Sequence, residues 1–243
     1  MDQFSRTELL FGKEAMNKLA NSKVIVFGVG GVGGYVVEAL ARSSVGAIDV
    51  VDNDIICLSN INRQIIATTE NVGNYKVDEI KKRILSINPE CKVNAHKLFY
   101  MPENADNFDF SQYDYVVDAI DTVKAKLQLA LQAQNASVRI ISSMGAGNKV
   151  NPVGFKVADL YKTSVDPLAK VMRREGKKLG IKKLKVVYSE EEALTPSENV
   201  ISDNDTGFTR RATPGSTAFV PSVVGLIIAS EVVKDLIGFA NER

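Results

Sequence analysis

Short runs of β-branched and apolar residues recur along the chain, each followed by a polar or glycine-rich turn and then by a stretch of helical period. Lys23-Val24-Ile25-Val26-Phe27, Ala47-Ile48-Asp49-Val50-Val51, residues 92–98, residues 114–117 and residues 138–143 read as strands. Between them, residues 8–20, 33–43 and 74–87 read as helices, the last stopped by Asn88-Pro89, and a further helix rich in Ala, Leu, Gln and Lys starts at Asp121. Strands alternating with helices predict an α/β, Rossmann-like, mainly parallel sheet with helices on both faces. The remainder is less regular: a strand over 154–159, a short helix over 167–174, a polar loop over 195–216 and a buried helix over 218–237, whose apolar run is interrupted by Pro221, Ser222, Ser230, Glu231, Lys234 and Asp235. Those interruptions exclude a membrane span. No internal repeat or linker divides the chain, so a single domain is expected over 1–243.

The turn after the first strand is Gly28-Val29-Gly30-Gly31-Val32-Gly33. Gly28, Gly30 and Gly33 satisfy G-x-G-x-x-G between a strand and a helix, where backbone amides and the helix N-terminus approach phosphates with no Cβ in the way. Asp52 closes the second strand, where a carboxylate accepts hydrogen bonds from ribose hydroxyls. These features predict a nucleotide and do not name its chemistry: a nicotinamide or flavin cofactor, and so an NAD-dependent oxidoreductase, fits the same loop.

The next segment points elsewhere. Asp52-Asn53-Asp54, then Ser59-Asn60-Ile61-Asn62-Arg63-Gln64, and Lys76 at the start of a helix are residue types that handle phosphate. Arg63 supplies a planar fork and Lys76 a point charge for a triphosphate under attack, and Asn60 and Gln64 can orient oxygens beside them. Asp121, in the Asp118-Ala119-Ile120-Asp121 segment after the strand that ends at Val117, is a candidate for holding Mg²⁺, which takes one or two carboxylates plus phosphate oxygens. Its plain reading is a helix N-cap.

With 30 basic and 29 acidic residues the net charge is +1, so a polyanionic partner must be met by a local patch. One such patch exists: Lys170, Arg173, Arg174, Lys177, Lys178, Lys182, Lys183 and Lys185 against Glu175 alone. It reads either as a solvated helix face or as a phosphate-contacting surface, to which Arg210 and Arg211 of the late loop can add. Cys57 and Cys91 are the two cysteines, without the Cys-x-x-Cys spacing of a zinc site, and both read as incidental or buried. The sole histidine, His96, lies in an alternating strand and is not needed as a base. A reducing, cytoplasmic setting is expected.

In this order, Gly-x-Gly-Gly-x-Gly at 28–33, Asp-x-Asp at 52–54, Asn-x-Asn-Arg-Gln at 60–64, Lys76 and Asp121 resemble the adenylating family of ubiquitin-like-protein-activating enzymes and their bacterial relatives, the ThiF/MoeB/HesA group. The resemblance spans nearly the whole chain. It implies ATP and Mg²⁺ as cofactors, with Gly28, Gly30, Gly31, Gly33, Asp52 and Asp54 in the nucleotide site. Asp52 would bind the ribose, Asn60, Arg63, Gln64 and Lys76 the phosphates, and Asp121 the metal. Arg6, in Phe4-Ser5-Arg6, matches an N-terminal arginine that reaches ATP across a homodimer, so Arg6 joins Arg63, Lys76 and Asp121 in the expected catalytic set. Residues 1–147 would form the nucleotide-binding half, and 148–243 the substrate-side and dimer-contributing half.

Within that family, the absent zinc cysteines, residues 157–168, the basic stretch and Val186-Val187-Tyr188-Ser189 resemble the branch that acts on tRNA. The implied reaction adenylates the carboxylate of a modified adenosine next to the anticodon and closes a ring with loss of water. Arg173, Arg174, Lys177, Lys178, Lys182, Lys183, Arg210 and Arg211 would then contact tRNA. A protein of a sulfur-acceptor or cysteine-desulfurase system is a further expected partner. The alternative within the family is an adenylyltransferase activating the C-terminus of a ubiquitin-like sulfur-carrier protein.

Overall fold

The computed structural model describes residues 2–196 and 214–239. Seven strands, β1 (Lys23–Phe27), β2 (Ala47–Val51), β3 (Lys92–His96), β4 (Tyr115–Asp118), β5 (Arg139–Ser143), β6 (Phe155–Asp159) and β7 (Lys185–Ser189), form one sheet in the order β3-β2-β1-β4-β5-β7-β6. Every pairing is parallel except β6 on β7, which puts an antiparallel strand at one edge. From β1 the chain winds outward through β2 and β3, then crosses back to β4 on the other side of β1. Such a reversal leaves a crevice at the carboxyl ends of β1 and β4, and the cleft described below opens there.

Side chains alternate across the sheet and divide the core in two. Val24 and Val26 of β1 face α1 (Ser5–Ala20), α2 (Gly33–Arg42), α3 (Lys76–Ile87) and α6 (Val220–Ile237). Ile25 and Phe27 face α4 (Val123–Ala136) and the aromatic segment around Tyr100, Phe108 and Phe110. A third cluster packs α4 against α5 (Pro167–Lys178) and β7. In α6, Val220, Val224, Ile228 and Val232 are fully buried, each stabilising the fold by about 1.5–3 kcal/mol.

The expected α/β class and helices on both faces are present, with differences at element ends. The helix expected to start at Asp121 starts at Val123 with Thr122 at its cap, so Asp121 lies in the preceding turn and is not an N-cap. The strand expected to reach residue 98 ends at His96, because Asp52 and Leu98 both turn their amides onto the His96 carbonyl. Helix α5 continues past 174 to Lys178 and takes in five of the eight residues of the basic stretch. Strand β7 was not anticipated. Helix α1 contains a break at Gly12 (φ 79°, ψ 164°), before which Leu9 and Leu10 are 86% and 79% exposed. Among the described residues no helix is long and apolar enough to cross a membrane.

Candidate active site

A cleft of about 540 Å³ lies over the carboxyl ends of the central strands. It gathers Gly28, Gly30, Gly31, Asp52, Asp54, Asn60, Arg63, Gln64, Lys76 and Asp121 from five separate stretches of chain. Gly33 sits behind the wall, at the first turn of α2, where a Cβ would lie 1.8 Å from the Gly28 carbonyl oxygen. That approach folds the loop tightly back on the helix and turns the helix N-terminus toward the cleft.

Asp52 holds the loop in place. Its Oδ2 accepts the Val29 amide and its Oδ1 the Asp54 amide, both at 2.9 Å. Each oxygen retains a lone pair for a ribose hydroxyl. Burial pushes the Asp52 carboxyl above the usual carboxylate value, against the pull of the Lys76 charge and the two amides. Acidification therefore neutralises this group at a higher pH than a free aspartate. ATP affinity is expected to weaken on acidification from a correspondingly higher pH, and Asp52→Asn is expected to bind ATP weakly with that dependence removed. Calorimetric titration across pH 4–7 reads both.

Lys76 reaches the cleft because residues 54–56 and 73–76 pair locally. Ile55 bridges Tyr75, Ile56 and Asn74 share a backbone bond, and the Lys76 amide donates to the Asp54 carbonyl at 3.0 Å. Lys76 is 5% exposed, and its Nζ lies 2.7 Å from Asp54 Oδ2. Asp54 therefore orients the ammonium as well as lining the cleft. The Arg63 guanidinium is fixed through Nη1 to the Ser59 carbonyl and to Asn62 Oδ1, each at 2.9 Å. Asn60 accepts the Cys57 amide on Oδ1 at 3.1 Å and so shapes the turn that carries Arg63.

Gln64 is 6% exposed, and its Oε1 is buried with no hydrogen-bond partner. Its Nε2 lies on the glycine-loop side, 3.7 Å from where a Cβ on Gly30 would sit, and an amide N–H there can donate to an anionic ligand. Asp121 is exposed in the cleft, where it accepts a hydrogen bond from the Thr122 hydroxyl at 3.3 Å. Among the described residues no three metal-ligating side chains cluster. One carboxylate with phosphate oxygens beside it suits Mg²⁺, which retains water in its shell.

Beneath Asp121 lies a buried network that sequence reasoning missed. Asp118 and Lys126 are both 0% exposed. Lys126 Nζ donates to Asp118 Oδ1 and to the Ile120 carbonyl, each at 3.0 Å, while the Ser142 hydroxyl donates to Asp118 Oδ2 at 2.5 Å. The network ties the turn carrying Asp121 to the ends of β4 and β5. Beyond it, Ser143 to Gly147, Leu168 and residues 214–216 form a second, less charged end of the cleft.

Other expected residues stand apart. Arg6 is exposed on α1 and does not line the cleft within one chain. Arg173 is half-buried and donates to the Thr163 hydroxyl, and Arg174 and Lys178 pair with Glu175. Lys177, Lys182 and Lys183 are exposed. Arg210 and Arg211 lie outside the described residues. His96 packs edge-on against Phe108, its Nε2 3.9 Å from Asp49 Oδ2, away from the cleft. Burial pushes the Cys91 thiol to about 11, and neither cysteine lines the cleft.

The model of the ThiF family matches residues 4–243. The chain belongs to the ThiF family. Within this ThiF-family likeness, the chain is 48% identical over 242 residues to a Bacillus subtilis protein named tRNA threonylcarbamoyladenosine dehydratase, covering 98% of this chain and 95% of that one. An Escherichia coli protein of the same name is 40% identical over 171 residues, which cover 70% of this chain and 64% of the relative. Among solved structures, E. coli TcdA in complex with ATP superposes with a TM-score of 0.86 at 32% identity, over 97% of this chain and 94% of that one. The same protein in complex with AMP gives 0.87 at 33% identity, over 99% and 96%.

Proposed function

We propose that this ThiF-family chain is an ATP-dependent tRNA threonylcarbamoyladenosine dehydratase. The observation that carries the reading is end-to-end likeness to dehydratases, at 48% identity over 98% of the chain, joined to a cleft that holds a glycine loop, Asp52, Arg63, Lys76 and Asp121 together. A relative of the same architecture binds ATP and AMP, the nucleotide consumed in an adenylation and the group released when the adenylate is attacked.

The chemistry follows from that pair. A threonyl carboxylate oxygen attacks the α-phosphorus, the bond to the β-phosphate breaks, and pyrophosphate leaves. A nucleophile of the same side chain then attacks the activated carbonyl carbon, its proton passes to solvent, and the carbon–oxygen bond to AMP breaks. The net change in the nucleoside is loss of one water. Asp52 orients the ribose, the glycine loop and Gln64 hold the phosphates, and Arg63 and Lys76 balance charge that builds on the oxygens around the attacked phosphorus. Asp121, with phosphate oxygens, would hold Mg²⁺, which supplies additional charge neutralisation when bound.

The reading extends to assembly and substrate docking. Arg6 lies on the helical segment before the Gly12 break, beside the exposed Leu9 and Leu10. A homodimer that covers those leucines would bring Arg6 to the partner's ATP. Residues 1–147 serve as the nucleotide-binding half, with α1 at the dimer contact, and 148–243 as the substrate-side half, which also contributes to the dimer. The exposed Lys177, Lys182 and Lys183, with Lys178 and Arg174, would follow the phosphates of an anticodon stem; Arg173, held by Thr163, contributes through α5's position instead. Changing Lys177, Lys182 and Lys183 to Ser is expected to weaken tRNA binding and to reduce its salt slope by about one unit per lost phosphate contact, measured by titration at several salt concentrations. A cytoplasmic location and contact with a sulfur-acceptor or cysteine-desulfurase system protein belong to the same proposal.

Mass analysis of tRNA nucleosides after incubation with the chain and ATP tests the activity. Loss of one water from threonylcarbamoyladenosine is the expected result. If pyrophosphate exchange responds instead only to a carrier protein ending in Gly-Gly, the chain is a sulfur-carrier adenylyltransferase. An NAD-dependent oxidoreductase is disfavoured by Arg63 and Lys76, which line the cleft and have no task in hydride transfer.

A further inference from the structure

Residues 214–216 cross the less charged end of the cleft, and two asparagines hold them. Asn148 donates its backbone amide to the Gly215 carbonyl at 2.8 Å and accepts the Gly215 amide on Oδ1 at 2.6 Å. Its own carbonyl accepts the Leu194 amide at 2.7 Å. On the other side Asn62 Nδ2 donates to the Ser216 carbonyl at 3.1 Å, while Asn62 Oδ1 accepts Arg63 Nη1 at 2.9 Å. A hydrogen-bonded chain therefore runs from the turn after β5, across residues 214–216, to Arg63.

The attachment is built into the backbone. Asn148 has φ 58°, a left-handed conformation that asparagine and glycine tolerate and branched residues do not. Pro214 packs onto Gly147, where an added Cβ would lie 2.9 Å from the proline Cβ. Residues 214–216 belong to no helix or strand, and Asn148 and Asn62 lie outside the hydrophobic clusters. Core packing gives no reason for such a two-sided attachment. Its position does, since Gly147 and residues 214–216 line the same cleft as the phosphate-handling groups.

We propose that Asn148 is a positioning residue: through Gly215 it holds residues 214–216 as the wall that sets the acyl substrate against the α-phosphate beside Arg63. This rests on the dehydratase reading above. Asn148→Gly suits the left-handed backbone and both backbone bonds and removes the carboxamide, with it the Oδ1 acceptor of the Gly215 amide. Its kcat/KM for modified tRNA is expected to fall about fivefold to tenfold, the factor for one lost hydrogen bond. The dissociation constant for ATP, read by calorimetry, is expected to stay within about twofold, because Arg63 keeps its bond to the Ser59 carbonyl. Asn148→Asp retains an acceptor and is expected to recover at least about half of the activity.

An unchanged kcat/KM in N148G, an equal loss of ATP affinity, or failure of N148D to recover activity overturns the assignment. If the unaltered chain removes no water from tRNA, the dehydratase reading fails by itself. ATP–pyrophosphate exchange with whichever carboxylate the chain accepts then reads the wall, and undiminished exchange in N148G overturns it.

Discussion

Replacing Arg63 by alanine is expected to lower kcat/KM about a hundredfold to a thousandfold, a loss of roughly 2.7–4 kcal/mol of transition-state stabilisation. Arg63 is held before any ligand arrives, with one nitrogen spanning Ser59 and Asn62, so its remaining donors meet the developing charge without reorganising. Half-burial raises the worth of that charge relative to one in water. Arg63→Lys is expected to recover little, since an ammonium does not reproduce the planar fork. Steady-state kinetics with ATP and modified tRNA, alongside ATP titration, reads the result. A rise in KM with kcat unchanged would assign Arg63 to ground-state binding alone.

The second large effect is on stability. Asp118→Ala leaves Lys126 buried without its carboxylate, and breaking a buried pair from one side costs about 3–5 kcal/mol. The variant is expected to unfold at lower urea and, where still folded, to turn over slowly, because the Ile120 carbonyl and the turn carrying Asp121 share that anchor. Adding Lys126→Met removes the stranded charge and is expected to return much of the stability. It does not return the hydrogen bond to Ile120, so activity stays low. Urea titrations of the single and double variants measure the coupling. A double variant whose loss equals the sum of the two single losses would show that the pair is not coupled.

The glycine loop, Asp52, Arg63, Lys76 and Asp121 were legible because each combines a chemical type with a place at the end of a strand or the start of a helix. Lys76 is indeed the first residue of α3, and β1 and β2 begin and end where their β-branched runs do. What stayed hidden depends on distant partners. Lys126 sits in a helix rich in Ala, Gln and Lys, where a lysine reads as solvated, and only packing against β4 buries it. Strand β7 has three apolar residues beside a run of lysines, and it is defined by pairing with β5 and β6 on its two sides. Asp54 reads as a ligand until Lys76, 22 residues on, is seen at 2.7 Å. Asn148 carries no local signal, since its partner lies 67 residues away, and the Asn-x-Asn-Arg-Gln motif marks Asn62 without showing its bond to Ser216, 154 residues on.

Helix α6 sets an order on the birth of the protein. Its Gly225 lies so close to α2 that a Cβ would sit 2.4 Å from the Val32 carbonyl, and Pro221 packs beside Gly31 of the nucleotide loop. The ribosome delivers β1 and the glycine loop early and α6 about 190 residues later, at the usual rates roughly 10–40 s behind. Until then one face of α2 has no cover, and the nascent chain carries a nucleotide loop without its wall. The final packing of the glycine loop and of α2 therefore waits for α6, the element made about 190 residues after them.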